Sequence, residues 1–117
     1  MAFRFEGLEI FHAAIDFSAR VYETVKKFPA EERFDLTSQA RRAANSIVLN
    51  IAEASGRGTK KEFSHFLDVA LGSTFETVAC IFVARKKSYV SQHDLEEIKR
   101  AGESLSMRIN AFKRTLR

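Results

Sequence analysis

The stretch KKEFSHFLDVALGSTFETVACIFVARKK, residues 60–87, decides the fold class of this chain. No proline interrupts it, and its apolar side chains recur three and four positions apart, as on one face of an α-helix. Just before it, Thr59 and Glu62 have the Thr-x-x-Glu spacing of a capping box, which satisfies free backbone N–H groups at a helix start. The stretch therefore predicts one long helix.

Residues that interrupt helices divide the rest of the chain. The interruptions are Pro29, the pair Gly56 and Gly58, and the polar segment 88–94. The stretches between them lack proline and show no strand-like alternation. Short connections between long helices favour antiparallel neighbours, so the expected fold is all-α, an up-down-up-down four-helix bundle forming a single domain over residues 1–117. The predicted helices are α1 at about 6–27, α2 at about 36–55, α3 at about 60–87 and α4 at about 92–115.

Length and composition exclude several classes of protein. The 117 residues suit one domain, and a single cysteine, Cys80, excludes an internal disulfide framework and a multi-cysteine zinc site. Glu6 and Glu9 interrupt the first segment where a signal peptide needs an apolar run. No window approaches about 18 uncharged apolar residues, so no membrane association is expected. We expect a cytoplasmic protein, because a reducing compartment suits one free thiol.

Helix α1 is too apolar for a helix that packs on one side only. Its apolar arc covers roughly 200°, whereas a surface helix needs little more than about 100°. We assign the inward seam to a heptad-like set and the excess to a second set, which we expect to be buried elsewhere. The seam is Leu8, Phe11, Ile15, Tyr22 and Val25, and the second set is Ile10, Phe17, Val21 and Phe28.

The apolar arc of helix α3 is wider still than that of α1. Its predicted core face comprises Phe63, Phe66, Leu67, Ala70, Leu71, Val78 and Ile81, and Phe75 and Phe82 widen that face. Val69, Cys80 and Val83 stand on the far side, with Gly72 and Glu76. In a four-helix bundle only a second copy can bury so much, so a homo-oligomer is expected, with Phe17, Val69, Phe75 and Val83 at the interface. The alternative is plain exposure, since scattered apolar surface residues are normal.

The net charge of +4 is unevenly distributed. Residues 1–35 carry −2 and residues 36–117 carry +6, so the basic surface belongs to α2, α3, α4 and their loops. Repeated around an oligomer, such a surface attracts phosphate backbones. No recognition motif is visible, so binding of RNA or DNA would be directed at the backbone, with little sequence specificity. The alternative is a set of solvated helix faces.

Two groups of residues are the candidates for phosphate contact. The first is the α2–α3 loop with Arg57, Gly58, Thr59, Lys60 and Lys61, where cations surround a helix start. The second is the pair Arg41 and Arg42 on α2. The loop lacks the spacing of a P-loop, and a simple capped turn explains it equally well.

Catalytic and metal chemistry have little support. Glu9 with His12, and Glu62 with His65, have the Glu-x-x-His spacing of di-iron bundles, but both pairs point away from the predicted core. We therefore expect no catalytic residues, no metal and no cofactor. Glu76 has apolar helical neighbours and should need a polar partner, for example an arginine of α2 or of a neighbouring subunit.

Over nearly its whole length, the chain resembles the four-helix-bundle family of 23S ribosomal-RNA intervening-sequence proteins. Three blocks between Ser46 and Ile81 carry the resemblance: SIVLNIAE, KKEF and ALGSTFE. Val48 stands where relatives usually have proline, so α2 should be less kinked, and Ala54-Ser55 replaces the usual glycine. The matching polar and small residues Asn50, Glu53, Gly72 and Glu76 are expected to be structural.

The resemblance implies a ring, typically a pentamer, and an association with nucleic acid, since members are encoded within ribosomal-RNA intervening sequences and relatives are accessory proteins of diversity-generating retroelements. The sequence thus predicts a non-enzymatic homo-oligomer that binds RNA or DNA. A scaffold that binds only protein partners is the alternative, and an enzyme has the least support.

Overall fold

The computed structural model describes residues 2–117, which form four α-helices and two short 3₁₀ turns, with no strand in that range. Met1, part of the predicted domain, lies outside the described residues. The observed bounds differ from the predicted ones by at most three residues. The helices are α1 Glu9–Val25, α2 Leu36–Ser55, α3 Lys60–Lys86 and α4 Gln92–Arg114, and the 3₁₀ turns are Arg4–Gly7 and Ala30–Glu32.

Side-chain caps fix the starts of α3 and α4. The Thr59 hydroxyl accepts a hydrogen bond from the Glu62 backbone N–H at 3.1 Å. At α4 the exchange is reciprocal: the Ser91 hydroxyl accepts from the Asp94 N–H, and the Asp94 carboxylate accepts from the Ser91 N–H, both at 3.0 Å. Each cap satisfies N–H groups that have no partner within their helix.

The four helices form an elongated bundle of 43 × 23 × 22 Å. Helix α1 packs against α2 and α4, and α3 packs against the same two helices, so sequential helices are neighbours around a square. Helix α2 is continuous from Leu36 to Ser55, as expected with Val48 in place of proline. Small residues on its inner face let α3 approach closely: Ala40, Ala43, Ala44 and Ala54 are all buried.

The inward face of α1 differs from the predicted seam. Ile15 and Tyr22, assigned to the core, are exposed, and the second apolar set fills the core instead. Phe17 is only 3% exposed, which corrects its assignment to an oligomer interface. The physical reason is the width of the apolar arc, since a helix apolar over more than half its circumference does not reveal which part faces inward. The core residues are Ile10, Ala14, Phe17, Val21 and Val25.

Helix α3 contributes the middle of the core, with two differences from prediction. Cys80, placed on the far side, is buried, and Thr74 and Thr77 are buried although they are polar. Their hydroxyls donate to the carbonyls of Ala70 and Ser73, so the core leaves neither threonine unsatisfied.

By length and composition alone, α3 could also cross a membrane, so the expectation that no window is apolar enough was too strict. A mostly buried core helix of a soluble protein passes the same test, but only 33% of the apolar window of α3 is buried within the bundle.

Candidate nucleic-acid interface

The α2–α3 loop is a capped turn whose arginine is already engaged. Arg57 forms an ion pair with Glu53, and its guanidinium lies 4.4 Å from the centre of the Phe66 ring. Thr59 satisfies the N–H of Glu62, which is one of the helix-start donors that a phosphate would use. The loop by itself therefore has fewer free groups for binding an anion than its sequence suggests.

Lys60 and Lys61 instead line a groove between the first turns of α3 and the last turns of α4. The groove has a volume of about 660 Å³ and is mostly polar. Its six basic and imidazole side chains come from α3, from α4 and from the segment that follows α4: Lys60, Lys61, His65, Lys113, Arg114 and Arg117. We call this surface the basic groove.

Most of the positive charge in the basic groove is not neutralised within the bundle. Lys113 pairs with Asp68 across the groove, but Lys60, Lys61, Arg114 and Arg117 form no ion pair within residues 2–117. The sequence shows the cations at the end of α4, but only the antiparallel pairing of α3 and α4 brings them beside Lys60. The α4 residues were therefore missed as members of the site.

Arg41 and Arg42 do not belong to the same site. They lie near the start of α2, about 20 Å along the helix from its C-terminal end at Ser55. The Arg41 guanidinium covers the Tyr22 ring at 4.7 Å, and its Nε is buried without a hydrogen-bond partner among the described residues. Arg42 is exposed.

The opposite end of the bundle also carries cations, but acidic partners neutralise several of them. Lys27 pairs with Asp94 at 2.8 Å, and Lys87 pairs with the buried Glu32 at 3.1 Å. The Tyr89 hydroxyl donates to Glu32 at 2.6 Å. This hydrogen bond and Lys87 lower the pKa of Glu32, and the same bond, with burial and the carboxylate charge, raises the pKa of Tyr89 to about 12.

The predicted structural residues act within and between helices. Asn50 donates to the carbonyl and hydroxyl of Ser46, and Ser73 of α3 donates to that same hydroxyl at 2.9 Å, which ties α2 to α3. Glu53 holds Arg57.

Gly72 and Glu76 lie on the exposed outer side of α3. A Cβ at Gly72 would meet nothing within 4 Å. Glu76 forms no hydrogen bond or ion pair within residues 2–117, so the partner expected for it is not supplied by this part of the chain. Its charge, together with burial as the larger cause, raises the pKa of the Cys80 thiol.

The two Glu-x-x-His pairs serve other contacts. His12 lies 2.7 Å from the carbonyl of Glu6 through Nε2, Glu9 pairs with Arg108, and Glu62 interacts with Thr59. Within residues 2–117, no three His, Cys, Asp or Glu side chains lie together in an arrangement that could hold a metal ion.

Two apolar surfaces remain exposed on opposite sides of the bundle. The α1/α2 face consists of Ile15, Tyr22 and Leu49, which line a shallow groove between these helices. The α3/α4 face consists of Phe75, Phe82 and Met107, and Phe75 and Met107 are 70% and 72% exposed. The interface candidates Val69 and Val83, also on α3, are exposed but do not belong to this face.

Comparisons with known proteins agree with this architecture. The structure resembles that of a protein of unknown function from the S23 ribosomal protein family of Bacteroides thetaiotaomicron, with a TM-score of 0.81, 21% identity and coverage of 89% of this chain and 97% of that one. No curated protein matches the sequence. The family model for 23S rRNA-intervening sequence proteins matches residues 6–111. The chain therefore belongs to the family of 23S rRNA-intervening sequence proteins.

Proposed function

We propose that this protein is a non-enzymatic, cytoplasmic homo-oligomer that binds the phosphate backbone of nucleic acid through the basic groove. The observation that carries the proposal is a set of four cations that line one groove and form no ion pair in the described chain: Lys60, Lys61, Arg114 and Arg117. Four unneutralised charges within one groove favour a polyanion over a neutral partner.

A ring would multiply this charge, and the two apolar faces favour one. The α1/α2 face and the α3/α4 face are unlike each other and lie on opposite sides of the bundle. Contact between unlike faces is head-to-tail, and such contacts close into rings when the rotation allows. A pentamer, as the family resemblance implies, would present five basic grooves.

Charge complementarity supports the same pairing of faces. Arg42 lies one helical turn from Asn45 on the α1/α2 side. Glu76 is exposed on the outer side of α3, about 100° around the helix from Phe75. Ser46 of α2 contacts Ser73 of α3. Arg42 is four residues and Glu76 three residues from this contact, both toward the end of the bundle opposite the basic groove. The two side chains therefore lie at similar heights along the bundle. In a ring with parallel axes, Arg42 of one copy could then reach Glu76 of the next.

A charge-reversal pair tests the binding site. The variant Lys60→Glu/Lys61→Glu should lose most affinity for labelled single-stranded RNA in fluorescence anisotropy, and its salt dependence should fall by about two counterions. Arg33→Glu/Lys86→Glu is the matched control, because it changes the net charge equally with exposed residues at the opposite end. Equal losses in the two variants would contradict a local site.

The second candidate is a scaffold that binds only proteins, which the exposed α3/α4 face favours. The same assay distinguishes it, since a protein-only scaffold would bind no oligonucleotide at low salt while still assembling.

A further inference from the structure

Phenylalanines cluster at the end of the bundle that carries the basic groove. Here α1 and α3 begin, and α2 and α4 end. Three ring contacts show the packing: Phe3 with Phe5, Phe5 with Phe11, and Phe63 with Phe112, with centroids 5.3, 4.6 and 5.4 Å apart. The end of the bundle that carries the groove cations therefore also carries aromatic rings, which backbone binding alone would not need.

Phe3 is the ring that this end exposes most. It stacks on Phe5 with an interplanar angle of 16°, yet 60% of Phe3 is exposed to solvent. Phe66, by contrast, is covered by Arg57, and Phe63 by Arg4. A ring supported on one face and open to solvent is the geometry on which a nucleobase stacks.

The segment that carries Phe3 is held in place from three sides. The Phe3 N–H donates to the Glu6 carboxylate at 2.8 Å, and the Glu6 N–H donates to the Phe3 carbonyl at 3.1 Å. His12 of α1 contacts the Glu6 carbonyl, and the Arg4 guanidinium lies 4.9 Å from the Phe63 ring centre of α3. The 3₁₀ turn packs on α1 and α2, and its Arg4 reaches Phe63 of α3, so Phe3 lies at the end of the bundle at which α3 begins.

We infer that the nucleic acid bound here is single-stranded, with Phe3 as a base-stacking platform and the basic groove as the contact for the backbone. This inference rests on the proposed function and adds the class of ligand to it. A single strand can turn a base onto Phe3 while its phosphates follow the cations, whereas a duplex keeps its base faces stacked inside. Stacking on a phenyl ring also tolerates any base, in agreement with the lack of a recognition motif.

A tryptophan reporter tests the stacking contact directly. The chain contains no tryptophan, so Phe3→Trp introduces one fluorophore at the platform. We expect an oligouridylate to quench its emission as it binds. Phe34→Trp is the matched control, because Phe34 is 88% exposed at the opposite end and should not be quenched.

Affinity measurements separate this inference from the proposed function. Phe3→Ala should weaken binding of the oligouridylate at least about fivefold, the lower limit for one lost stack, while Phe34→Ala leaves it unchanged. A duplex of equal length should bind more weakly than the single strand. Because Phe3 is outside the core, the variant should keep its helical circular dichroism.

Each outcome has one meaning. If the duplex binds as tightly as the single strand and Phe3→Ala has no effect, while Lys60→Glu/Lys61→Glu still weakens both, the stacking inference is wrong and the proposed function stands. If neither nucleic acid binds at micromolar protein and low salt, the proposed function fails and the inference fails with it.

Discussion

Gly72 and Gly102 are the two glycines inside α-helices, and their surroundings are opposite. A Cβ at Gly102, which is buried in α4, would lie 2.7 Å from the Val78 Cγ2 of α3, closer than real Cβ atoms approach. At Gly72 a Cβ would meet nothing in the described bundle. Glycine costs helical stability relative to alanine, so at Gly102 it permits the contact of α3 with α4, while at Gly72 the single bundle does not require it.

Alanine at these two positions should therefore have opposite effects. Gly102→Ala should lower the free energy of unfolding by about 1–3 kcal/mol, because valine is stiff and must shift. Gly72→Ala should raise it by about 0.5–1 kcal/mol in a monomeric background, because alanine is the better helix former. Chemical denaturation measures both. Two changes of the same sign would contradict the packing described at Gly102 or the open space at Gly72.

Tyr89 gives a prediction that depends on pH. Its hydrogen bond to Glu32 raises its pKa from 10.0 to about 12, so the folded state binds this proton more tightly than the unfolded state. The stability it contributes is complete below pH 10 and is lost as the pH rises toward 12. In Tyr22→Phe, Tyr89 is the remaining tyrosine, and its tyrosinate absorbance should titrate near 12 in the folded protein. A midpoint of 10 with native helicity would show that the bond is absent.

The sequence predicted where each helix begins and ends, but it did not predict which face of α1 and α3 is buried. The helix bounds and the cap residue Thr59 followed from local rules that need no tertiary information. The inward faces of α1 and α3 did not, because apolar residues surround most of each helix and only packing selects the buried part. Phe17 and Cys80 moved into the core for this reason.

The candidate site could be predicted only in part. Lys60 and Lys61 stood out locally, but Arg114 and Arg117 joined them only once α4 was placed antiparallel to α3. Arg41 and Arg42 were chosen as a second candidate by charge, and the length of α2 separates them from the basic groove. Phe3 carried no sequence signal, because a phenylalanine near the start of the chain is typical of a core contact too.

The contact between α2 and α3 depends on the hydroxyl of Ser46. It accepts from Ser73 and from Asn50, so Ser46→Ala leaves a buried serine and an asparagine without one partner each. We expect a loss of about 1–3 kcal/mol in the free energy of unfolding, measured by urea denaturation. Ser18→Ala is the control: it removes an exposed hydrogen bond to Asn45 and should change stability by less than about 0.5 kcal/mol. Equal effects would contradict a special role for Ser46.

At the scale of the whole molecule, two features predict assembly into a homo-oligomer. They are the exposed apolar faces and the opposite charges of Arg42 and Glu76. Light scattering should give about five times 13.3 kDa, the mass of one chain. Phe75→Glu should reduce the mass to 13.3 kDa without unfolding, because its ring is 70% exposed in the single bundle. Phe34→Glu, at an exposed ring on neither face, should assemble normally.

A charge swap tests the orientation of the copies. Glu76→Arg and Arg42→Glu should each weaken assembly, and the double variant should recover it, because the two charges would again be opposite across the interface. Double variants no better than the single ones would contradict the pairing of the α1/α2 face with the α3/α4 face, and a wild-type mass of 13.3 kDa would contradict assembly altogether.

The central claim is that this bundle holds a phosphate backbone in its basic groove. The salt dependence of nucleic-acid binding tests this claim most directly. For the wild-type protein and a single-stranded RNA, we predict binding at micromolar protein in about 50 mM salt, and a loss of at least about tenfold in affinity at about 200 mM, because several phosphates release counterions. Affinity that does not change between these salt concentrations, or no binding at the lower one, would contradict the account.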